Sequence, residues 1–236
     1  MAIRICELGE TMKKIVNNHV EVDNKIFDEF RAMRDVYSLS CIISDVQERD
    51  NCMKNTIKPR TVNRRIIGPA LTVKLTPGDI VDCLGIYEIA QPGDVVVIDA
   101  FSEGETSIWG GLMSGLAKAA GIEGVVIDGS ARDTGESRML GFPNFSTYVS
   151  PRASHTAYDG RKEPIEINTD IVCGGIIVHP GDLIVADEIG VVVAPKEKLA
   201  EILEAAKEQA DKEAGTRMDI LKGFTVEQLL DKYGRI

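Results

Sequence analysis

Residues 109–133 read WGGLMSGLAKAAGIEGVVIDGSARD, and the order of signals within them sets the architecture. The glycine pair Gly110-Gly111 opens a helix in which Leu112, Leu116 and Ala119/Ala120 share one apolar face. Residues 124–128, GVVID, follow as a near-continuous β-branched run, short enough for a strand buried on both faces. Its exit carries Arg132 and Asp133 side by side. A helix followed at once by such a strand is the building unit of an α/β protein.

Outward from this stretch the alternation continues. A strand is predicted over about 70–75 (ALTVKL), introduced by Gly68-Pro69. Pro-Gly-Asp recurs at Pro77-Gly78-Asp79, Pro92-Gly93-Asp94 and Pro180-Gly181-Asp182. Proline presets φ for the second residue of a turn and glycine tolerates positive φ, so each reads as a turn. After the first, Asp79 is positioned to cap a helix reaching about residue 90. After the other two, VVVIDA and LIVADE are strands, and residues 145–149 form another after Pro143. Residues 165–194 read as several short strands ending in a hairpin with Gly190 at its turn. Residues 1 to about 58 are helical in pattern, with Ile26, Phe27, Phe30, Met33 and Val36 interleaved with charge. Residues 196–214 form a helix with Leu199, Ile202, Leu203, Ala206 and Ala210 on one face, stopped by Gly215. A last helix runs from about Thr225, its cap, to Tyr233.

No composition break marks a linker, so a single domain over residues 1–236 is expected, with a core of about 44–195 and helical arms over about 1–43 and 196–236. Sheets stacked against a helical layer suit that order. A hydrophobic fraction of 44% and a charged fraction of 27% are ordinary for a globular protein. The net charge of −10 argues against nucleic acid as a partner, because phosphate binding wants clustered Lys and Arg. Five scattered cysteines, odd in number and without CxxC, read as reduced, mostly buried thiols. No segment approaches the roughly 20 apolar residues of a membrane span, and the N-terminus lacks a signal-peptide run, so no membrane partner and a cytoplasmic location are expected.

Several residues are candidates for chemistry. With a helix starting near Gly110, the amides of Leu112 and Met113 are first-turn donors that, with the helix dipole, form an anion site. The plainer alternative is a close helix–strand contact that needs small residues. Arg132 offers a planar fork suited to a carboxylate, against the alternative of a surface ion pair. Asp133 reads either as one half of a capping box with Glu136, or as the direct carboxylate ligand of a Mg²⁺ that keeps several waters. His155 lies in a polar loop, and His19 and His179 are isolated, so neither a triad nor a histidine metal cluster is expected. GxGxxG and GxxxxGK[ST] are absent. Asp99 and Asp128 end strands, where they serve a site or cap loops. Glu103 and Glu105 lead into Gly110-Gly111 and are placed to overhang the same site.

On the motifs IIGPALTVK (66–74), QPGDVVVIDA (91–100), WGGLM (109–113), GIEGVVIDGSARD (121–133), GFP (141–143) and GDLIVADEIGVVVAP (181–195), the chain resembles the RraA family. That family joins regulators of ribonuclease activity to class II 4-hydroxy-4-methyl-2-oxoglutarate/4-carboxy-4-hydroxy-2-oxoadipate aldolases. The resemblance implies an α/β fold, a three-layer swivelling ββα sandwich, assembled as a homotrimer or homohexamer with sites at subunit boundaries. It implies a small 2-oxo acid substrate whose carboxylate meets Arg132 and the amides of Leu112 and Met113 beside Gly110 and Gly111, and Mg²⁺ or Mn²⁺ on Asp133. The expected function is therefore a metal-dependent lyase, decarboxylating oxaloacetate or cleaving 4-hydroxy-2-oxo acids to pyruvate. The alternatives are a non-enzymatic regulator binding a ribonuclease, or a repurposed sugar-acid isomerase or hydratase. One position departs from the aldolase pattern, which places an acid twenty residues ahead of the Arg-Asp pair; here that position is Gly111. Loss of the acid is expected to weaken aldol cleavage more than decarboxylation, unless Glu103, Glu105 or a neighbouring subunit substitutes.

Overall fold

The computed structural model of the chain describes residues 14–75, 81–154 and 165–234. Its strands are β1 (Lys14–Val16), β2 (Lys58–Pro59), β3 (Ile66–Lys74), β4 (Val95–Trp109), β5 (Gly124–Ala131), β6 (Asn144–Val149), β7 (Ile165–Ile167), β8 (Ile171–Cys173), β9 (Ile176–Val178), β10 (Leu183–Ala186) and β11 (Val191–Ala194). Its helices are α1 (Asn24–Ala32), α2 (Leu39–Asp45), α3 (Gly111–Ala119), α4 (Thr134–Met139), α5 (Leu199–Leu221) and α6 (Val226–Tyr233). Strands β3, β4, β5 and β6 lie parallel in that order, with α3 and α4 as the crossovers on either side of β5. The first half of β3 pairs antiparallel with β10, which pairs with β11, while its last residues pair with β7.

The period of two in the apolar runs sorts side chains between layers. Along β4, Val96 and Ile98 face the helical side with Trp109, Met113 and Ala117, while Val95 and Val97 face the other way. Val97, Val126 and Phe145 then share a core with Ile184, Ala186, Val191 and Val193 from β10 and β11 and with Ile171, Cys173 and Val178 from β8 and β9. The opposite face of the β10–β11 hairpin, Leu183, Val185, Val192 and Ala194, packs against Phe27, Phe30, Leu39, Ile42, Ile43, Ile202 and Leu203 of α1, α2 and α5. The order is thus α3 and α4, a parallel sheet, a second β layer, and the terminal helices outside: the expected ββα sandwich with helical extensions. β3, the first half of β4, β5, β10 and β11 are buried on both sides, which is why these segments read as continuous rather than alternating apolar runs.

Two of the Pro-Gly-Asp turns are closed by their own aspartate. Asp94 accepts from Gln91 N at 2.7 Å and Asp182 from His179 N at 2.8 Å. The third, with its proposed cap Asp79, lies outside the described residues, and the helix expected after it is a 3₁₀ run over Val81–Glu88. Asp187, fully buried in the β10–β11 turn, accepts from Ser40 N at 3.1 Å and from Ser40 Oγ at 2.7 Å, which fastens the start of α2 to the sheet.

Three expectations are corrected. The region up to about residue 58 is not helical throughout: β1 is a strand paired with β7, and positive φ at Glu48, Arg49 and Asn51 breaks the chain after α2. Gly215 does not stop the long helix, which continues to Leu221. A Cβ at Gly215 would sit 2.9 Å from Tyr233 Oη, so that glycine makes room for α6, whose cap on Thr225 is as expected and is completed into a capping box by Gln228. The thiols are not mostly buried among the described residues: Cys83 and Cys173 are buried, Cys41 and Cys52 exposed. Burial pushes the Cys83 thiol up to about 12. No described helix is long and apolar enough to cross a membrane.

Phe145 is fully buried between the two β layers, so Phe145→Ala is expected to cost about 3–5 kcal/mol in urea unfolding, without loss of the parallel-sheet circular dichroism signal.

Candidate functional site

The site is built by strand register. β4 and β5 pair evenly from Val95 with Gly124 to Asp99 with Asp128, then lose step: Glu103 faces Gly129, Ser107 faces Ser130 and Trp109 faces Ala131. The surplus of β4 bulges out through Phe101 and Ser102, both at positive φ. Trp109 is thereby returned to the sheet beside Ala131, and Arg132 N donates to Trp109 O at 2.8 Å. The glycine pair and the Arg-Asp pair, distant in sequence, leave the sheet together.

Gly110 is the extended N-cap of α3, and the first intrahelical bond runs from Ser114 N to Gly110 O at 3.1 Å. The amides of Leu112 and Met113 precede that bond, as predicted, and have no partner within the helix. The face expected of Leu112 and Leu116 is the exposed one: Met113 and Ala117 pack into the core, while Leu112 is 81% exposed. Below the turn, Trp109 stacks on Phe142 with centroids 6.2 Å apart, and its Nε1 donates to Ser114 Oγ at 2.9 Å. Ser114 Oγ in turn meets Ser137 Oγ at 2.8 Å, locking the first turn of α3 to α4.

Asp133 takes a left-handed backbone (φ 52°, ψ 36°) and its side chain caps nothing in α4, so the capping box with Glu136 does not form. Its Oδ2 instead accepts from Gly111 N at 3.2 Å and lies 3.4 Å from Arg132 Nε. At both glycines an added Cβ would force these side-chain ends to move. A Cβ on Gly110 would stand 2.7 Å from Asp133 Oδ2 and 3.3 Å from Arg132 Nε, and one on Gly111 would stand 2.0 Å from Glu136 Oε2. The small residues therefore admit charged side chains, not a strand.

Arg132 and Asp133 are each partly open to solvent and line a cavity of about 310 Å³ with Thr134, Val149 and Ser150. That cavity is lined by the Arg-Asp loop and the end of β6, not by α3. The guanidinium reaches the helix start instead at Gly110, whose Cβ position is 3.3 Å from Arg132 Nε, so guanidinium, first-turn amides and helix dipole can share a small carboxylate at the N-terminus of α3. Among the described residues no three Asp, Glu, His or Cys side chains converge on a metal position. A single hard carboxylate, half-exposed and engaged by one amide, fits a Mg²⁺ or Mn²⁺ completed by water and ligand oxygens, and does not fit a fully protein-caged ion.

The other candidates fall elsewhere. Glu103 accepts from the amides of Glu105 and Thr106, both at 2.8 Å, which holds its own bulge together. Glu105 lines a separate cavity with Arg60 and Tyr148. Asp99 accepts from Phe101 N at 2.9 Å, and Asp128 from Ser102 Oγ at 2.7 Å and Gly174 N at 3.0 Å, so both secure loops. They border a cavity of about 710 Å³ with Lys54 and Lys74, away from Arg132. Burial raises the Asp99 carboxyl above its usual value. His19 pairs with the buried Asp94 at 3.0 Å and His179 with Asp170 at 2.8 Å, while His155 lies outside the described residues. The residue missed by the sequence is Glu136; its one available signal, the three-residue step from Asp133, reads equally as a cap.

Fold and cluster together define an α/β protein of two stacked β layers that gathers charge at the start of a crossover helix. A family model described as RraA-like, Aldolase/RraA, matches residues 25–193, and the chain belongs to that family. The match takes in α1, which the sequence motifs had left outside the core. A relative from Halalkalibacterium halodurans, named provisionally a 4-hydroxy-4-methyl-2-oxoglutarate aldolase, is 42% identical over 176 residues, covering 74% of this chain and 81% of its own. Among solved structures, an uncharacterised protein of Pseudomonas syringae superposes with a TM-score of 0.73 at 26% identity, covering 89% of this chain and 99% of that one. Streptomyces coelicolor RraAS2, described as an unusual member of the RNase ES inhibitor RraA protein family, gives 0.71 at 25% identity, with 84% and 100% covered.

Trp109 is the single tryptophan of the chain, so it reports directly on this corner. Ser114→Ala leaves its buried N–H without an acceptor and is expected to lower stability by about 1–3 kcal/mol, read as an earlier urea midpoint in tryptophan fluorescence.

Proposed function

We propose that this chain is a divalent-metal-dependent lyase acting on short 2-oxo acids, by decarboxylating oxaloacetate, by retro-aldol cleavage of 4-hydroxy-2-oxo acids to pyruvate, or by both. The observation that carries this reading is the meeting of Arg132, Asp133 and the first turn of α3 at one strand exit, fixed by the 2.8 Å bond from Arg132 N to Trp109 O. Arg132 binds the substrate carboxylate through its planar fork, and the amides of Leu112 and Met113 share that negative charge. Asp133 holds the Mg²⁺ or Mn²⁺. When bound, the ion supplies Lewis-acid stabilisation of the charge that builds on the 2-oxo oxygen as the neighbouring bond breaks. Loss of CO₂ from oxaloacetate needs no base at a C4 hydroxyl, whereas the retro-aldol step does.

Leu112, in the first turn of α3, and Met139, the last residue of α4, are 81% and 85% exposed, large apolar side chains that a neighbouring subunit would cover. They support assembly as a homotrimer or homohexamer with the substrate between protomers. The provisional aldolase name of the H. halodurans relative supports the lyase reading. The RraAS2 likeness supports a second one, a regulator that binds a ribonuclease and has no need of a metal at Asp133.

The test is pyruvate release from oxaloacetate with and without Mg²⁺. Wild type is expected to exceed the metal-only background, Arg132→Ala to lower kcat/KM by about tenfold or more, and Asp133→Ala to abolish calorimetric Mg²⁺ binding. Wild type and Arg132→Ala both matching the metal-only rate would falsify the lyase assignment, and absence of any Mg²⁺ heat would favour the regulator.

A further inference from the structure

We infer that Glu136 supplies the acid–base group that position 111 lacks, acting as the catalytic base on the C4 hydroxyl of a 4-hydroxy-2-oxo acid; this rests on the lyase reading above. The geometry is specific. A side chain built on Gly111 would place its Cβ 2.0 Å from Glu136 Oε2, 2.3 Å from Cδ and 2.9 Å from Cγ. The carboxylate of Glu136 thus fills the volume a residue-111 side chain would occupy, but arrives from α4 instead of α3. Glycine at 111 is the condition for this, since any Cβ there would displace the carboxylate.

Glu136 is also held for the task and free to do it. Its backbone is fixed within α4, where Leu140 N donates to Glu136 O at 3.0 Å, and the next residue, Ser137, is fully buried against Ser114 at 2.8 Å. α4 therefore cannot slide along α3. The competing structural role, a capping box with Asp133, is absent. Among the described residues the Glu136 carboxylate makes no hydrogen bond or ion pair, and it is exposed on the side of the cluster. Glu103 and Glu105, the other acids near in sequence, are turned to their own bulge and to a separate cavity. The Cβ position of Gly110 is 3.3 Å from Arg132 Nε and that of Gly111 is 2.0 Å from Glu136 Oε2, so the guanidinium and this carboxylate reach neighbouring residues at the start of α3.

The step balances without a co-reactant. A Glu136 carboxylate oxygen takes the proton of the C4 hydroxyl, the C4–O bond becomes a carbonyl, and the C3–C4 bond breaks with its electron pair moving toward the 2-oxo group. The protonated Glu136 then returns the proton to C3, giving pyruvate and the second oxo product. Oxaloacetate decarboxylation has no C4 hydroxyl to deprotonate, and the C3 of its enolate takes a proton from solvent water, so it does not call on Glu136 as a base.

Three proteins test this: wild type, Glu136→Gln, and the double variant Gly111→Asp/Glu136→Ala, each assayed on 4-hydroxy-4-methyl-2-oxoglutarate and on oxaloacetate with Mg²⁺. Glu136→Gln is expected to lower kcat for retro-aldol cleavage about 10²-fold or more. The same variant should keep oxaloacetate decarboxylation within about threefold of wild type, with unchanged Mg²⁺ calorimetry and Trp109 fluorescence. The double variant, with its acid back on α3, should recover at least about tenfold over Glu136→Gln. Full retro-aldol activity in Glu136→Gln, or equal loss of both reactions, overturns the assignment while leaving the lyase reading intact. So does a wild type that decarboxylates but cleaves no 4-hydroxy acid. A wild type inactive on both acids removes the lyase reading itself, and this inference with it.

Discussion

β4 travels from Asp99 to Trp109 while its neighbour β5 travels only from Asp128 to Ala131, and the difference has to leave the sheet. It leaves as a bulge secured from within by Glu103 and from outside by the bond from Ser107 N to Arg152 O at 2.9 Å. Because the strand then rejoins β5, the residue pairs at 110–111 and 132–133 emerge at the same point of the sheet edge. Every feature of the charged cluster depends on this mismatch. An even ladder beyond Asp99 would have carried the glycine pair several residues past the end of β5.

At that point the absence of two side chains does as much as the presence of three. Asp133 and Glu136 lie so close to Gly110 and Gly111 that a Cβ there would push their carboxylates aside, and Arg132 would have to give way slightly. Two carboxylates near one another repel, and here the guanidinium of Arg132 and the positive end of α3 offset that repulsion. The cluster keeps a small negative excess and is not tied down, since among the described residues Asp133 is engaged only by Gly111 N at 3.2 Å and by Arg132 at 3.4 Å.

Much of the architecture was legible because the local signals had one meaning. Pro-Gly-Asp reads as a turn whatever surrounds it, and GVVID or VVVIDA, apolar on both faces, suits few places other than a covered sheet. Thr225 with Gln228 spelled out its own cap. What escaped the sequence depended on partners distant along the chain. Gly215 looks like a stop until Tyr233 is seen to need its space. Leu112 and Leu116 form a stripe as convincing as the buried one one residue along, Met113 and Ala117, and only docking decides which faces inward. Asp133 and Glu136 have the spacing of a capping box, yet the left-handed backbone at Asp133 turns its carboxylate toward α3. Arg132, Asp133 and the amides of Leu112 and Met113 could be gathered from the sequence; the route by which Glu136 reaches Gly111 could not.

β3 belongs to both β layers at once. Ile66 to Pro69 pair with β10, Ala70 to Lys74 with β4, and side chains of this one strand enter all three apolar clusters. No plane therefore divides the molecule into halves that separate while each keeps its own sheet. Opening between the β layers, or between β3 and the helices that cover it, would strip hydrogen bonds or apolar cover from β3, so α1, the hairpin and the charged corner at Trp109 are expected to melt as one cooperative unit.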